Sequence, residues 1–483
     1  MSGIGSHARA APDAAAIVTL ARTVTFAELD DRHGRVAGAL HAGGLATGDR
    51  VAVLSANRLE YLEVTIGALR AGIVPVPVNA LLTPREAAYV VEDSGARWLF
   101  ADRAYDVAPG LERVVTFGDA YERLLFESDP APLADVALGR PMHYTSGTTG
   151  VPKGVWVPPA SEDAAAMRSE EFRTLWGLAP DDVHLVCSPL AHSAPHRFAL
   201  RTLEAGGAVV VQTRFEAAET LAAIELFGAT STFVVPTHLE RFFALSEKTL
   251  RRHDLSSLRL LAHAGAPIRD ATKRRAIAAF PPGSVWEFYG ATENQATRIS
   301  ADEWLRKPGS VGTALPGAQL VIADDDGVRL PPGDVGDVWV DDAGAERFSY
   351  WNDADETRAA WRGDAWTAGD VGYVDDDGYL YLTGRKNDTI ITGGVNVYPR
   401  EVEAVLEAHP GVAEAVVYGA PHDEWGHEVR ALVVASPGAG LDGDDVRSWA
   451  RTRLAGFKCP RRVDVVDELP RTPTGKVRRG PPS

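Results

Sequence analysis

Between Val51 and Ala101 the chain alternates short apolar runs with stretches of helical period, and this alternation constrains the fold more than any other feature. VAVLSA from Val51, the run IVPVPV and RWLFA read as strands, while Arg58 to Ala71 and a stretch begun by Thr83 and Pro84 read as helices. Just before them, TFAE from Thr25 has the pattern of a capping box, Leu29, Val36 and Leu40 fall on one helical face, and Gly43 with Gly44 stops the helix. Strands and helices in this order bury both faces of a mostly parallel sheet. Residues 180–300 repeat the style with VHLVCSPL, GAVVVQT, STFVVP, LRLLAHAGAP and SVWEFYG, which predicts a second wound layer. From about residue 310 the texture changes to short strands, glycines and Asp-rich turns, suited to a small barrel-like antiparallel sheet. The two DDDG turns place their aspartates side by side rather than alternately, which is turn chemistry and not a calcium loop. A smaller α+β unit starts near Asp388, with a helix at Pro399 to Ala408, strands at VAEAVVYG and EVRALVVAS, and a helix at Asp444 to Leu454.

The expected architecture is therefore α/β. A large amino-terminal domain, 1–386, holds two doubly wound αβ subdomains and a small β-barrel-like subdomain; a small α+β domain, 387–483, follows. A length of 483 residues, beyond what one core sustains, agrees with that division.

Charge narrows the function. With 49 basic and 66 acidic residues the net charge is −17, which repels nucleic acid and anionic membrane, so any anionic ligand must be met by locally placed cations. Only seven of the basic residues are lysines (Lys153, Lys248, Lys273, Lys307, Lys386, Lys458, Lys476). A chain that uses arginine almost everywhere has little reason to keep lysine unless a compact, mobile ammonium is wanted there. Cys187 and Cys459 match no metal-ligand spacing and are expected as buried thiols in a reducing compartment. The amino terminus has no charged start followed by a long apolar run, and no apolar run reaches membrane-spanning length. A cytoplasmic enzyme without a membrane span or nucleic-acid partner is the expectation.

The stretch YTSGTTGVPKG, Tyr144 to Gly154, packs hydroxyls, glycines and a lysine together. It is not a Walker A loop, because Lys153 follows Pro152 and precedes Gly154. Glycines let backbone amides approach phosphate oxygens, hydroxyls donate to them and an ammonium neutralises them. Taken alone, the stretch fits a phosphate cradle and a polar turn equally well.

With its companions the stretch closely resembles the signature loop of the adenylate-forming superfamily: acyl- and aryl-CoA ligases, firefly-type luciferases and the adenylation domains of peptide synthetases. AGAP from Ala264 looks like that family's adenine-contacting segment and YGATE from Tyr289 like its aromatic-plus-metal motif. AGD ending at Asp370 resembles its ribose turn, GRKND from Gly384 its hinge, GGVNVYPREVE its thioester-tunnel loop and PRTPTGK its catalytic-lysine loop. Any one motif is weak. Seven in family order, from about residue 20 to the end, are specific.

The resemblance implies ATP and Mg²⁺ with coenzyme A as co-substrate, and roles residue by residue. Thr145, Ser146, Gly147, Thr148, Thr149 and Gly150 would cradle the leaving phosphates with Lys153, while Glu293 and Thr148 would hold Mg²⁺. Gly265, Ala266, Pro267, Tyr289 and Gly290 would receive adenine, Asp370 both ribose hydroxyls, and Arg385 the ribose or phosphate region. Lys476, Thr292, Glu293 and His192 would be catalytic; His192, Val235, Pro236, Thr237, Gly290 and Ala291 would line the substrate pocket. Gly393 and Gly394 would line the pantetheine tunnel, and Asn387 would be the hinge about which a mobile 387–483 swings Lys476 in and out. For isolated residues, a solvated Glu293, an Asp370 turn cap and a Lys476 tail charge would be the better readings; motif order reverses that preference.

The expected reaction is ATP-dependent activation of a non-amino acid to an acyl-adenylate, then transfer to coenzyme A. No aspartate in SPLAHSAPHRFAL is placed to pair with an amino group, and the expected acid is apolar or aromatic and of medium or larger size. Departures from the family keep alternatives open. Asn387 stands where aspartate or lysine is usual, Ala368 replaces a threonine, and WVPPASEDAA lacks the usual polar pattern. A chain running only one half-reaction, or a non-catalytic acyl or nucleotide binder, remains an alternative, as do a carrier-protein acceptor and a homodimer. Arginine and alanine richness fits a high-GC bacterium and a specialised, secondary-metabolic pathway.

Overall fold

The computed structural model of the protein describes residues 3–104, 110–145, 152–392, 395–422, 425–471 and 477–480. Two units are present: Met1–Gln295 with Ser300–Leu305 and Ala345–Ala359, and Ala296–Ile299 with Arg306–Gly344 and Ala360–Ser483.

In the first unit a hairpin, β1 (Ala15–Val18) and β2 (Thr23–Thr25), leads into α1 (Phe26–Ala42). The Glu28 amide donates to Thr25 Oγ1 at 3.2 Å, but the Glu28 carboxylate pairs with Arg22 instead of returning to Thr25, so half of the expected capping box forms. Leu29, Val36 and Leu40 are fully buried, and Gly44 ends the helix in the left-handed region at φ 79°. Then come β3 (Arg50–Ser55), α2 (Leu59–Arg70), β4 (Val74–Asn79), α3 (Pro84–Ser94), β5 (Trp98–Ala101), β6 (Arg113–Thr116) and α4 (Asp119–Glu127). The four strands run parallel in the order β4-β3-β5-β6. The prolines of VPVPV fit because β4 is an edge strand, where a missing amide donor breaks no ladder. Its outer side is used nonetheless: the Met142 amide donates to the Pro75 carbonyl at 2.9 Å, which seats the following hairpin.

That hairpin is β7 (His143–Thr145) and β8 (Lys153–Trp156), extended by the antiparallel strand Ser349–Tyr350. The second wound layer contains β9 (Val183–Val186), α5 (Ser193–Ala205), β10 (Ala208–Val211), β11 (Ser231–Val234), α6 (Pro236–Phe243), β12 (Leu260–His263) and β13 (Val285–Gly290). Within the first unit its order is β13-β12-β11-β9-β10-β1-β2, parallel except for β1 with β2. All residues of β11 and β12 are buried, as the near-continuous apolar runs of the sequence require for strands covered on both faces. Lys273 is also fully buried there, with Nζ 2.9 Å from Glu287 Oε2 and 2.5 Å from His263 Nε2. Nothing in the sequence distinguishes this lysine from a surface one.

Helices α1, α2 and α4 are tied by a buried ion cluster. Arg32 meets Glu63 through two bonds of 2.6 and 3.0 Å and reaches Glu122 at 2.7 and 3.0 Å, while Tyr121 Oη donates to Glu63 at 2.8 Å. Glu63 has no exposed surface. Arg32→Met therefore leaves a carboxylate without its counter-charge and is expected to cost about 3–5 kcal/mol, read from the urea midpoint. Adding Glu63→Gln to that variant should restore much of the loss, and a single variant as stable as wild type would remove the cluster from the list of structural ties.

In the second unit β14 (Gln319–Ala323), β15 (Gly336–Asp341), β16 (Asp370–Val374) and β17 (Leu380–Arg385) form an antiparallel sheet. β15 pairs along one side with β14 and shares its other side between β16 and the short strand Ala365–Trp366. The DDDG segments are turns: Asp324 Oδ1 accepts from the Val328 amide at 2.8 Å, and Asp375 Oδ1 accepts from the amides of Asp377 and Tyr379 at 3.0 and 2.9 Å. The α+β part follows with β18 (Ile390–Thr392), β19 (Val395–Val397), α7 (Pro399–Glu407), β20 (Val412–His422), β21 (Gly426–Ala435), α8 (Gly443–Arg451) and β22 (Arg462–Val466). Its strand order is β19-β18-β21-β20, with β22 parallel to β21, and α7 and α8 bury Val402, Leu406, Val446 and Ala450 against Ile390, Val417 and Ala431.

Cys187 and Cys459 are both buried and free, and burial pushes the Cys187 thiol up to about 11. No helix of the described residues is long and apolar enough to cross a membrane.

Candidate active site

Parallel strands deliver their following loops to one end of a sheet, where ligands of open α/β folds bind. Four predicted segments of the first unit arrive there together. Val235, Pro236 and Thr237 follow β11, Gly265, Ala266 and Pro267 follow β12, and Tyr289 with Gly290 ends neighbouring β13. His192 caps α5 in the connection after β9. Gly265 adopts φ 87°, a conformation that favours glycine, and a side chain there would meet Val235 Cγ1 at 3.8 Å. Asn79 Nδ2 lies 3.4 Å from His192 Nε2, holding the ring from the end of β4.

Ala291, Thr292 and Glu293 occupy a tight turn closed by the Ala291 amide on the Asn294 carbonyl at 2.9 Å. Arg140 clamps this turn from behind, with Nη2 donating to the carbonyls of Thr292 and Glu293 at 2.6 and 2.9 Å and Nη1 paired to Glu346 at 2.6 Å. The Glu293 residue is 5% exposed, and its carboxylate accepts one hydrogen bond, from Tyr350 Oη at 2.6 Å, with no cationic partner among the described residues. A buried carboxylate met only by a neutral phenol fits a cation, so the residues present suit Mg²⁺ carried by ATP.

Thr145 and Lys153 face each other across the β7–β8 hairpin. Lys153 Nζ is 2.8 Å from Glu356 Oε1 and 3.2 Å from Asp353 Oδ2, and lies 5.8 Å from the Tyr350 ring centre. Desolvation opposes its charge, but the two carboxylates outweigh that and hold its pKa above the usual lysine value. Ser146, Gly147, Thr148, Thr149 and Gly150 lie outside the described residues, as do Gly393, Gly394 and Lys476.

In the second unit, Asp370 at the start of β16 and Arg385 at the end of β17 are cross-strand partners. Arg385 Nε is 2.8 Å from Asp370 Oδ1, and its Nη1 donates to the Ala368 carbonyl at 2.8 Å, so the guanidinium orients a carboxylate that is itself buried. Asn387 follows in an exposed one-turn 3-10 helix, Lys386–Asp388. Lys386 pairs with Asp325 and Asp337, and Lys458 with Glu401. The terminal RRGPPS reads as plain low-complexity sequence, yet Arg479 reaches Asp388 at 3.0 Å, Glu403, and the Val417 carbonyl at 3.0 Å.

Tyr350, Asp353, Glu356 and Arg140 were not legible as site residues. Arg140 and Glu346 stand 206 positions apart, and no local pattern links them.

The AMP-binding enzyme family model matches residues 5–347, and the model of the AMP-binding enzyme C-terminal domain matches residues 401–476. The chain belongs to the AMP-binding enzyme family. It is similar to the fatty acid–[acyl-carrier-protein] ligase ScoC of Streptomyces coeruleorubidus, at 37% identity over 98% of this chain and 93% of that protein. A feruloyl-CoA synthase of an Amycolatopsis species is 35% identical over 99% of this chain and 98% of that one. The crystal structure of ATP-bound MatB from Rhodopseudomonas palustris superposes with a TM-score of 0.85 at 33% identity, covering 98% of this chain and 97% of that one. The chain is accordingly an AMP-forming ligase that activates a carboxylic acid with ATP and passes the acyl group to a thiol.

Proposed function

We propose that the protein is an acyl- or aryl-CoA ligase acting on a non-amino carboxylic acid in the cytoplasm, with the roles assigned to its residues by motif order. The observation that supports this most directly is the arrival of Val235–Thr237, Gly265–Pro267 and Tyr289–Glu293 at the carboxyl ends of three adjacent strands. In the first step a carboxylate oxygen of the acid attacks the α-phosphorus of ATP, and the bond to the pyrophosphate oxygen breaks. Both reactants are anions, so positioning and neutralisation carry the rate. Mg²⁺ supplies charge neutralisation on the phosphates, and Glu293 with Thr148 would hold it. Thr145 to Gly150 and Lys153 bind the phosphates, Tyr289 stacks on adenine, Asp370 accepts from the ribose hydroxyls, and Lys476 joins the acid to the α-phosphate oxygen. In the second step residues 387–483 turn about Asn387, Lys476 withdraws and a thiol sulfur attacks the acyl carbon, so that AMP leaves.

Coenzyme A is the proposed thiol. A carrier-protein phosphopantetheine is the second reading, favoured by the 37% identity to ScoC. Incubation with ATP, Mg²⁺, a panel of carboxylic acids and either coenzyme A or a holo-carrier protein should release AMP and form one of the two thioesters. Pyrophosphate exchange without any thioester would restrict the chain to adenylation, and no exchange with any acid would remove the ligase reading.

A further inference from the structure

Helix α5 turns a cationic face onto the segment before β7, and between them lies a cleft of about 30 Å³ lined by Arg140, His143, Ser193, His196, Arg197 and Arg201. Two of the three guanidiniums have counter-charges: Arg140 pairs with Glu346 and Arg201 with Glu204. Arg197, half-buried, makes no hydrogen bond or ion pair among the described residues, and the only carboxylate that attracts it from a distance, Glu346, is already paired with Arg140 and Arg168. Burial and the neighbouring Arg140 push its pKa down to about 9, so it remains a cation at neutral pH. Two buried imidazoles also face the cleft without partners: His143, 6% exposed, through Nε2, and His196, 1% exposed, through both ring nitrogens. Unpaired buried charge and unpaired buried donors are costly and are ordinarily removed or satisfied. Here two such imidazoles and the half-buried guanidinium of Arg197 converge on one small space.

The space is sized for a small planar anion. It is about twice what one water needs on the same measure and is open on one side, which leaves room for the two oxygens of a carboxylate. A guanidinium presents a fork of donors that matches a carboxylate with two parallel bonds. The cleft also adjoins the proposed chemistry. Ser193 lines it and His192 precedes Ser193, while Arg140 on its wall carries the turn of Thr292 and Glu293.

We propose that this cleft recognises a second carboxylate on the substrate acid, making the preferred substrate a short dicarboxylic acid. One carboxylate is adenylated and the other sits on Arg197. This rests on the ligase reading above and differs from the apolar or aromatic acid of medium or larger size expected from the sequence in placing a charge at both ends.

The test uses the full-length protein and pairs succinate, glutarate and adipate with their monomethyl esters in pyrophosphate exchange. Wild type should prefer the best diacid over its ester by about 100-fold, mainly through KM. Arg197→Leu should abolish that preference, and Arg197→Lys should keep part of it, which a merely structural role would not predict. Removing an unpaired cation should leave Tm unchanged or raise it by about 1–3 °C; if Arg197→Leu fails to fold, Arg197→Gln takes its place. Equal use of diacid and ester by wild type, or a preference that survives Arg197→Leu, overturns the proposal while the ligase reading stands. Should no acid be adenylated, the ligase reading fails and the cleft is judged by thermal shift. Stabilisation of wild type but not of Arg197→Leu by the diacids supports it, and an equal response overturns it. Acetate matching the diacids in that assay assigns the cleft to a free anion and overturns the substrate role.

Discussion

Lys476→Ala is expected to slow acyl-adenylate formation by about 10²–10³-fold, equivalent to roughly 3–4 kcal/mol of transition-state stabilisation, while thioester formation from a supplied acyl-adenylate is largely retained. A carboxylate and a polyphosphate repel, and the protein around them carries a net charge of −17, so no general field of the protein brings them together. In the first unit the described cations assigned to the phosphates and to the turn of Thr292 and Glu293 are already committed, Lys153 to Asp353 and Glu356 and Arg140 to Glu346. An additional ammonium delivered at the moment of bond formation is what the reaction lacks, and a compact lysine head on a long stem suits that task. Single-turnover pyrophosphate release measures the first half-reaction and thioester yield from synthetic adenylate the second. An unchanged adenylation rate in the variant sinks the assigned role. Equal losses in both halves would make Lys476 a general binding residue instead.

Acidification of the ligand-free protein from pH 6 to pH 5 is expected to remove on the order of 4 kcal/mol of stability, through histidines that the fold holds neutral. Burial pushes His184, His196 and His238 down to about 3, and His143 and His263 are likewise held well below the usual value, first by desolvation. In the unfolded chain each imidazole titrates near 6.5. Below that pH the unfolded state binds protons that the native state refuses until near pH 3. The stability is therefore fully present above about pH 6.5 and is lost as pH falls, by about 1.4 kcal/mol per unit for each such group. Three groups account for the expected figure, and the other two steepen it. Urea midpoints at pH 7.5, 6 and 5 read the slope, which His184→Gln should reduce in proportion to the one group removed. A midpoint unchanged from pH 7.5 to 5 would mean that these rings gain protons in place.

Much of the fold was legible because its signal is local and repeated. The runs at VAVLSA, STFVVP and LLAH are apolar with little alternation, as strands buried on both faces must be, while the glycines after α1 act through their own backbone and the aspartates of the DDDG turns through carboxylates that accept amides within four residues. Thr25 and Glu28 mark the limit of such reasoning. The local pattern is a complete capping box, yet Arg22 across the hairpin competes for the glutamate and wins it.

The sequence by itself determined the order of wound layers, the seven motifs and hence the class of chemistry, because each motif is a short segment whose residue types state what its backbone and side chains can bind. Only the tertiary structure decided which distant groups surround the candidate site residues: Tyr350 on Glu293, Glu356 and Asp353 on Lys153, Arg140 behind the turn of Thr292 and Glu293 and, beside it, Arg197 without an ion pair among the described residues. The physical reason is that charge pairing and desolvation act through space over a few ångströms, between residues that can be two hundred positions apart. No periodicity or spacing along the chain records that distance.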